Sequence, residues 1–390
     1  MLDRRTVLAG SAAGALALPL AGAKAAKVAA PIDRGAIGTF RRMPSADAEA
    51  RLDFLWGLEN YNETVQAPAA ERSALARIKA QGIDPAKPMP MAQAVALLGP
   101  DPSIALRHKT YLDTERLKMT VVRDAYAADE PYHIAAMDKA MARGPGSLTL
   151  DPDFKVPDYA RHELHMQPGG YVGDPFAGAV FRHAITGLSS GHNFQNETHE
   201  SLVSVAPVPA DGRVMRTLDL GCGTGQIVSA MHKRFPAAEI WGVDTSAPML
   251  RFAHMEASEF GRPLHFSQQS AEALRFPDGH FDMVTASGLF HEISDTATRR
   301  ILSEVARVLR PGGTFFPLDL NTGAPIGQDV RSQFGAWLSY RWFHEDWRLG
   351  YTAIDLPAQM RAVGLDVAEK GAVLKLHGHE MANMIATKPV

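Results

Sequence analysis

The stretch TLDLGCGTGQ, Thr217 to Gln226, decides the fold, because a short apolar strand runs directly into three glycines spaced two residues apart. Asp219 precedes Gly221, Gly223 and Gly225, and a side chain at these glycines would block a ligand that lies against the backbone. The turn from strand into helix therefore suits a nucleoside. Nicotinamide dinucleotide sites place their third glycine three residues after the second, and here that residue is Gln226, which weakens a dinucleotide interpretation.

The pattern Asp-x-Gly-x-Gly-x-Gly resembles the first motif of the class I S-adenosylmethionine (SAM) methyltransferases. The resemblance continues, in the family's order, through IWGVDTSAPML (240–250), QQSAEALRFPDGHFDMVTASGLFHEI (268–293) and EVARVLRPGGTFFPLDL (304–320). It implies an α/β, Rossmann-like class I methyltransferase domain with SAM as its cofactor. We place its strands near 215–220, 239–243, 264–267, 281–286 and 314–319, with a terminal antiparallel pair near 365–376 and 380–387.

The resemblance also implies which residues contact SAM. Asp244, at the end of the second strand, is expected to accept the ribose hydroxyls, with Met249 on the adenine face. Ser270 replaces the usual Asp of the family's Asp-Ala-Glu, which leaves the backbone amide of Ala271 as the expected adenine contact. The expected cofactor residues are Asp219, Gly221, Cys222, Gly223, Gly225, Asp244, Thr245, Met249, Ser270, Ala271, Glu272 and Ser287.

Composition excludes several classes of function. The chain has 390 residues, of which 46% are hydrophobic and 21% charged, an ordinary globular mixture that suits two domains. A net charge of -3 and a pI near 6.6 give no basic surface for nucleic acid. Cys222 is the only cysteine, so the chain forms no internal disulfide and no multi-cysteine zinc site.

The first 25 residues, MLDRRTVLAGSAAGALALPLAGAKA, resemble a twin-arginine export signal. Arg4 and Arg5 precede a weakly hydrophobic stretch, and small-residue cleavage sites end at Ala23 and Ala25. The stretch is too short and too rich in alanine for a membrane span, so we expect none. Periplasmic export is the first interpretation, and a cytoplasmic enzyme with an N-terminal tail is the alternative.

Residues 36–204 are expected to form a mostly α-helical N-terminal domain. Apolar residues recur at helical spacing in Ala46–Tyr61, Ala69–Ala80 and Ser103–Ala142, where Pro131 interrupts or restarts the helix. The stretch APVPADG (206–212) is typical of a linker, and the methyltransferase domain follows at 213–390 with an insertion at 322–354. By analogy with two-domain methyltransferases, the helical domain is expected to supply homodimer contacts and one wall of the acceptor pocket.

Five of the 15 histidines lie in Tyr159–Leu202: His162, His165, His183, His192 and His199. Metal binding is one interpretation, because His162 and His165 are about one helical turn apart. Two other interpretations are stronger: the segment caps the SAM site and lines the acceptor pocket with some of these side chains, or the side chains simply pack. The glycines and prolines of this stretch are typical of turns. We therefore expect no metal.

An aromatic insertion, Gln328–Tyr351, follows the fifth strand. In the family such an insertion commonly closes over the substrate, which would suit an apolar, planar acceptor. A packing seam against the N-terminal domain explains the aromatics equally well. The expected acceptor-pocket residues are His165, Tyr171, Phe290, Trp337 and Tyr340.

His291 is the candidate catalytic base. LFHEISD (289–295) follows the fourth strand and resembles the His-Asp-Trp-Ser-Asp segment of two-domain small-molecule O-methyltransferases, although Glu292 and Ile293 replace Asp-Trp. In that family the matching histidine deprotonates a phenol, a task suited to an imidazole. Pocket lining or packing are the alternatives for His291, and Asp319 is a weaker polar candidate.

Residues 213–320 also resemble the quinone-biosynthesis C-methyltransferases, in DLGCGTG and FPDGHFDMV. The resemblances imply a SAM-dependent methyltransferase that acts at oxygen or carbon of a small, largely apolar molecule. One alternative is a non-catalytic SAM- or nucleoside-binding module that recognises a protein partner. A nicotinamide oxidoreductase is a third interpretation, with Gln226 against it.

Overall fold

The computed structural model describes residues 33–185, 193–319, 329–369, 371–376 and 379–390, so the predicted signal and His192 lie outside the described residues. The strands are β1 (Ala36–Ile37), β2 (Phe40–Arg41), β3 (Ser147–Thr149), β4 (Arg216–Leu220), β5 (Glu239–Asp244), β6 (Leu264–Gln268), β7 (Phe281–Ser287), β8 (Leu309–Leu318), β9 (Asp366–Val367), β10 (Ala372–Leu376), β11 (His379–Asn383) and β12 (Ala386–Thr387). The helices are α1 (Ala46–Tyr61), α2 (Ala67–Ala80), α3 (Met91–Leu98), α4 (Pro102–Ala127), α5 (Glu130–Met141), α6 (Ala177–Val180), α7 (Glu197–Ser204), α8 (Gln226–Arg234), α9 (Ala247–Glu259), α10 (Asp295–Val308), α11 (Val330–Trp342), α12 (Arg348–Tyr351) and α13 (Leu356–Ala362).

An eight-stranded mixed sheet, in the order β3-β6-β5-β4-β7-β8-β12-β9, carries the candidate site. Neighbouring strands from β3 to β8 are parallel, whereas β12 is antiparallel to both β8 and β9. Strand order reverses at β4, and in open α/β sheets ligands bind beyond the carboxyl ends of the strands at such a point. The predicted Rossmann-like class is confirmed.

The predicted strands are confirmed with two differences of extent. The fifth, β8, begins at Leu309 because the Pro-Gly-Gly turn forms a bulge within it: Phe281 pairs with Leu309, but Met283 pairs with Thr314. Each strand of the predicted terminal pair is split in two. Its outer parts, β9 and β12, pair within the large sheet, and β10 and β11 form a separate antiparallel ladder.

The sheet is buried on both faces, as a parallel sheet requires. Along β7, Val284 packs in one apolar cluster and the preceding Met283 in another, because successive strand residues point to opposite faces. Helix α10 covers the first face with Ile301 and Val305, and α8 covers the second with Ile227. This double cover holds the strand ends in fixed positions.

The N-terminal part is helical, as predicted. Ser45 caps α1 by accepting from the backbone N of Ala48, and Asp101 caps α4. The predicted interruption at Pro131 is also found, since α4 ends at Ala127 and α5 begins at Glu130. Trp56 and other apolar side chains of this part share one cluster with Phe252 of α9.

One strand of the sheet comes from outside the predicted methyltransferase domain. Strand β3 adds to the edge, parallel to β6, where Leu148 pairs with Phe266. Gly146 allows this approach, because a Cβ there would lie 1.9 Å from the backbone oxygen of Leu264. The two-domain division at 206–212 stays a prediction, and residues Asp33–Val390 form one compact unit. Among the described residues, no helix combines the length and apolarity of a membrane span.

Candidate active site

Three glycines turn the chain from β4 into α8, and all have positive φ: 64° at Gly221, 50° at Gly223 and 75° at Gly225. Residues other than glycine rarely adopt this backbone conformation, so replacing any of the three glycines would strain the backbone. Gly221 and Gly223 line the main cavity with Cys222. Gly225 does not line the cavity. It packs against Phe266 instead, where a Cβ at position 225 would lie 2.9 Å from Cζ of Phe266. Two glycines thus face the ligand space, and the third permits close helix packing.

Asp244, the last residue of β5, holds this loop. Its Oδ2 accepts from the backbone N of Gly223 at 2.9 Å, and its Oδ1 accepts from the backbone N of Ser246 at 2.8 Å. Burial raises the pKa of Asp244, while the backbone donors act in the opposite direction. A carboxylate has about four acceptor sites. Because Asp244 also lines the cavity, it can accept ligand hydroxyls as the resemblance implies.

Asp219 is the second buried carboxylate of the cavity. The hydroxyl of Thr285 donates to its Oδ1 at 2.7 Å. Burial raises the pKa of Asp219 to about 7, against the effect of this hydrogen bond. A cationic group nearby would favour the ionised form. The charged amino group of SAM would have this effect.

The expected adenine side is reached by only some of the predicted residues. Thr245, Met249, Ala271 and Ser287 line the cavity, whereas Ser270 and Glu272 do not. The hydroxyl of Ser270 accepts from the backbone N of Glu272, and the carboxylate of Glu272 accepts from the Tyr159 hydroxyl at 3.0 Å. Ser270 and Glu272 therefore shape the turn that carries Ala271.

The cavity has a volume of about 550 Å³, within the range of small-molecule sites. It combines open glycine backbone at Gly223, two carboxylates and the apolar side chain of Met249. This set fits SAM, because it offers acceptors for hydroxyl and amino groups beside an apolar surface for a base. The same cavity extends past the cofactor residues to an aromatic and acidic wall.

His291 borders that wall, four residues past the end of β7. Its Nδ1 lies 2.7 Å from Oδ1 of Asp319, whose Oδ2 accepts from the backbone N of Phe290. Burial alone would lower the pKa of His291, but Asp319, with Glu292 and Glu345, raises it to about 9. Asp319 thus fixes the imidazole and stabilises its protonated form.

His165 approaches the same wall from the N-terminal segment. It has a positive φ of 54°, an uncommon conformation for a side-chain-bearing residue. Its Nδ1 lies 2.8 Å from the Tyr171 hydroxyl, and its ring stacks on Phe343 at 4.9 Å. Its Nε2 lies 3.5 Å from both Glu292 Oε1 and Glu345 Oε1. The backbone oxygen of Tyr171 accepts from Ser246, which joins this segment to the cofactor side.

The predicted acceptor residues divide into two groups. His165 and Tyr171 line the cavity. Phe290 does not, because it is fully buried in the core beside β8, and Trp337 packs with Phe334 in a cluster formed with α2 and α3. Tyr340 is 42% exposed and is also not part of the cavity wall. Helix α11 is thus a packing seam at Phe334 and Trp337, and the insertion reaches the cavity through Phe343 and Glu345 instead.

The remaining histidines of Tyr159–Leu202 have different environments. His199 lines the cavity, with Nδ1 3.1 Å from the side-chain amide of Asn193. His183 is buried against the Tyr126 hydroxyl at 3.1 Å. His162 Nε2 lies 3.8 Å from an Asp346 carboxylate oxygen. Within the described residues, the ligand atoms of His165 are grouped with those of His291 and Glu292, and His162 is not part of this group.

Sequence reasoning missed several cavity residues, among them Tyr111, Glu115, Tyr159, Phe181, Gln269, Phe343 and Glu345. Gln269 follows the third parallel strand directly, a position that could have identified it. Phe343 and Glu345 lie just past the end of α11, and no local pattern separates them from the exposed Trp342. Only the folded chain brings them to His165.

Comparison with known proteins finds methyltransferases similar to this chain. A methyltransferase domain family matches residues 217–313. Demethylmenaquinone methyltransferase from Thermus thermophilus is 40% identical over 104 residues, which are 27% of this chain and 46% of that protein. A ubiquinone/menaquinone biosynthesis C-methyltransferase from Burkholderia mallei is 31% identical over 193 residues, 45% of this chain and 77% of that protein. The chain thus spans about half of the first relative and about three quarters of the second.

Among solved structures, the PH0226 protein from Pyrococcus horikoshii is similar at 19% identity. The match covers 50% of this chain and 90% of that protein, with a TM-score of 0.36.

Proposed function

The chain belongs to the class I SAM-dependent methyltransferases, and from this premise we propose that it transfers a methyl group from SAM to oxygen or carbon of a small, largely apolar acceptor. One observation carries the proposal. A single cavity joins the glycine loop and Asp244 to a wall with Tyr171, His291 and Phe343. This arrangement supports a cofactor site next to an acceptor site, as direct transfer requires.

The residues have separable tasks. Gly221 and Gly223 expose backbone, Asp244 accepts hydroxyls and Asp219 balances positive charge. SAM, when bound, supplies a methyl group already activated on a sulfonium sulfur. The protein's contribution is then to hold an acceptor in line, to exclude water and to remove a proton from a weakly acidic acceptor. We assign proton removal to the neutral form of His291, which Asp319 orients and which, with a pKa raised to about 9, is a stronger base than an ordinary imidazole.

The acceptor class follows from the wall of the cavity. Tyr111, Tyr171, Phe181 and Phe343 offer aromatic surface, which favours a planar molecule. The relatives act, by their names, on demethylmenaquinone and in ubiquinone or menaquinone biosynthesis. We propose an acceptor with a comparable quinol-like or phenolic ring for this chain.

Turnover distinguishes this proposal from a SAM-binding module. We expect the purified protein, given SAM and a small-molecule extract of its own cells, to form S-adenosylhomocysteine and a methylated product, measured by mass spectrometry. Without extract, SAM should remain intact. SAM bound but unchanged with every extract fraction would favour the binding module, whereas NADH binding in place of SAM would favour an oxidoreductase.

Export is a separate proposal, supported by Arg4 and Arg5 before the weakly hydrophobic stretch. Replacing both arginines by lysine is expected to retain the protein in the cytoplasm at its full-length mass. Cell fractionation with mass spectrometry of the intact chain measures this. The parent protein, processed near Ala23 or Ala25, should be periplasmic; if it is cytoplasmic and full-length, the signal does not function. The homodimer also stays a prediction, which sedimentation velocity tests.

A further inference from the structure

Four side chains from three separate segments converge at the acceptor end of the cavity. One ligand atom each from His165, His291 and Glu292 lies within 4.8 Å of the others. Glu292 Oε1 is 3.5 Å from Nε2 of His165 and 3.8 Å from Nε2 of His291. Oε1 of Glu345 is also 3.5 Å from Nε2 of His165. Against the expectation from the sequence, we propose that His165, His291 and Glu292, hereafter the His-Glu cluster, bind one divalent transition-metal ion.

The distances are close to those of a coordination shell. Zinc bonds of about 2.0 to 2.2 Å to nitrogen and oxygen place tetrahedral ligands roughly 3.3 to 3.6 Å apart. Oε1 of Glu292 lies 3.5 Å from Nε2 of His165 and 3.8 Å from Nε2 of His291, and the three ligand atoms all lie within 4.8 Å of one another, so a bound ion would draw them closer together. Imidazole nitrogen together with carboxylate oxygen favours zinc, iron, cobalt or nickel over magnesium and calcium, which prefer all-oxygen sites.

Each histidine also has the outer hydrogen bond typical of a metal ligand. Nδ1 of His291 faces Asp319 at 2.7 Å, and Nδ1 of His165 faces the Tyr171 hydroxyl at 2.8 Å. With the proton on Nδ1, the lone pair of each imidazole is on Nε2, the atom turned toward Glu292. Metal-bound histidines generally use this arrangement, because it fixes both the tautomer and the orientation of the ring.

The net negative charge around the His-Glu cluster also favours binding of a cation. Three carboxylates, from Glu292, Glu345 and Asp319, contact two imidazoles, and the Nε of Arg348 lies 3.7 Å from Glu345 Oε2. With both imidazoles neutral, as coordination requires, two negative charges remain in excess. A divalent ion balances them.

The His-Glu cluster lines the cavity, so an ion there could keep one position open to the acceptor. Sites with three protein ligands and an open position are typical of catalytic metals, which lower the pKa of a bound oxygen. This inference rests on the proposed function. If the cluster binds a metal ion, the expected acceptor is a molecule with a phenol or enol oxygen. His291 Nε2 would then hold the ion in place of a proton, and the ion would activate the acceptor.

Metal binding can be tested without turnover. Full-length protein, treated with chelator and then freed of it, is titrated with Zn²⁺ by calorimetry and with Co²⁺ by visible absorption. We expect one ion per chain and cobalt bands typical of low coordination number. Absence of binding for both ions would overturn the proposal, while SAM binding measured on the same sample tests the cofactor site independently.

Variants locate the ion. His165→Ala and Glu292→Gln should each weaken Zn²⁺ affinity by at least about 100-fold, since even outer hydrogen-bond partners of a metal site contribute about 10- to 100-fold. His162→Ala is the matched control, because His162 is on the same segment but faces Asp346. It should bind Zn²⁺ as the parent does. Equal affinity in all variants would place the ion elsewhere and overturn the assignment; circular dichroism and SAM binding exclude misfolding.

Discussion

Asp244→Ala is expected to weaken SAM binding by about 100-fold or more, because charge-assisted hydrogen bonds contribute roughly 1.5 to 3 kcal/mol each. The alanine removes the acceptor proposed for the ribose hydroxyls. It also frees the backbone N of Gly223, which the carboxylate holds at 2.9 Å, so the glycine loop loses its anchor. Calorimetric titration with SAM and with S-adenosylhomocysteine measures both affinities.

Asp282→Ala is the matched control for this substitution. Asp282 is a buried carboxylate near the start of β7, where it accepts from the backbone N atoms of Met215 and Arg216. It is not part of the cavity wall. We expect a lower melting temperature but a SAM affinity within about threefold of the parent, since separated sites act independently. Parent-like SAM affinity in folded Asp244→Ala would exclude the proposed cofactor site.

Local sequence predicts this half of the cavity wall. The order strand, glycine loop, helix lies in one continuous stretch, and Asp244 ends the next strand, so neighbouring parallel strands must bring the two together. The positive φ of Gly221 and Gly223 has the same local origin. Asp219, Asp244 and Met249 all line the cavity, and their contacts with SAM stay a prediction.

The acceptor half depends on tertiary contacts that no short pattern contains. His165 reaches His291 only because its segment crosses the cofactor side and is held there by the contact between Ser246 and Tyr171. The sequence of α11 does not indicate which of its aromatic residues face the cavity. Trp337 packs against the N-terminal helices, whereas Phe343, just past the end of α11, lines the cavity. Strand β3 was missed for a similar reason, since three residues are too few for a periodic signal.

His291→Ala is expected to slow methyl transfer by about 100- to 10,000-fold, the usual contribution of a positioned acid or base. Acceptor activation is lost whether the imidazole removes the proton or holds a metal ion. SAM affinity should stay within about threefold of the parent, because His291 borders the acceptor end of the cavity and separated sites act independently. Initial rates of S-adenosylhomocysteine formation with extract, and calorimetry with SAM, give the two quantities.

Asp319→Asn tests the positioning role of the hydrogen bond between Asp319 and His291. The amide can still accept from the backbone N of Phe290, but it no longer stabilises the imidazole that Asp319 holds at 2.7 Å. We expect kcat to fall by about 10- to 100-fold, as for other outer partners of a functional histidine, with little change in KM.

A parent-like rate in folded His291→Ala would remove His291 from the mechanism. If His291→Ala is slow, treating the parent protein with a chelator distinguishes His291 as a catalytic base from His291 as a metal ligand. A methyl-transfer rate that survives chelation assigns His291 as the base. A rate that is lost with the metal and restored by Zn²⁺ or Co²⁺ assigns His291 as a ligand.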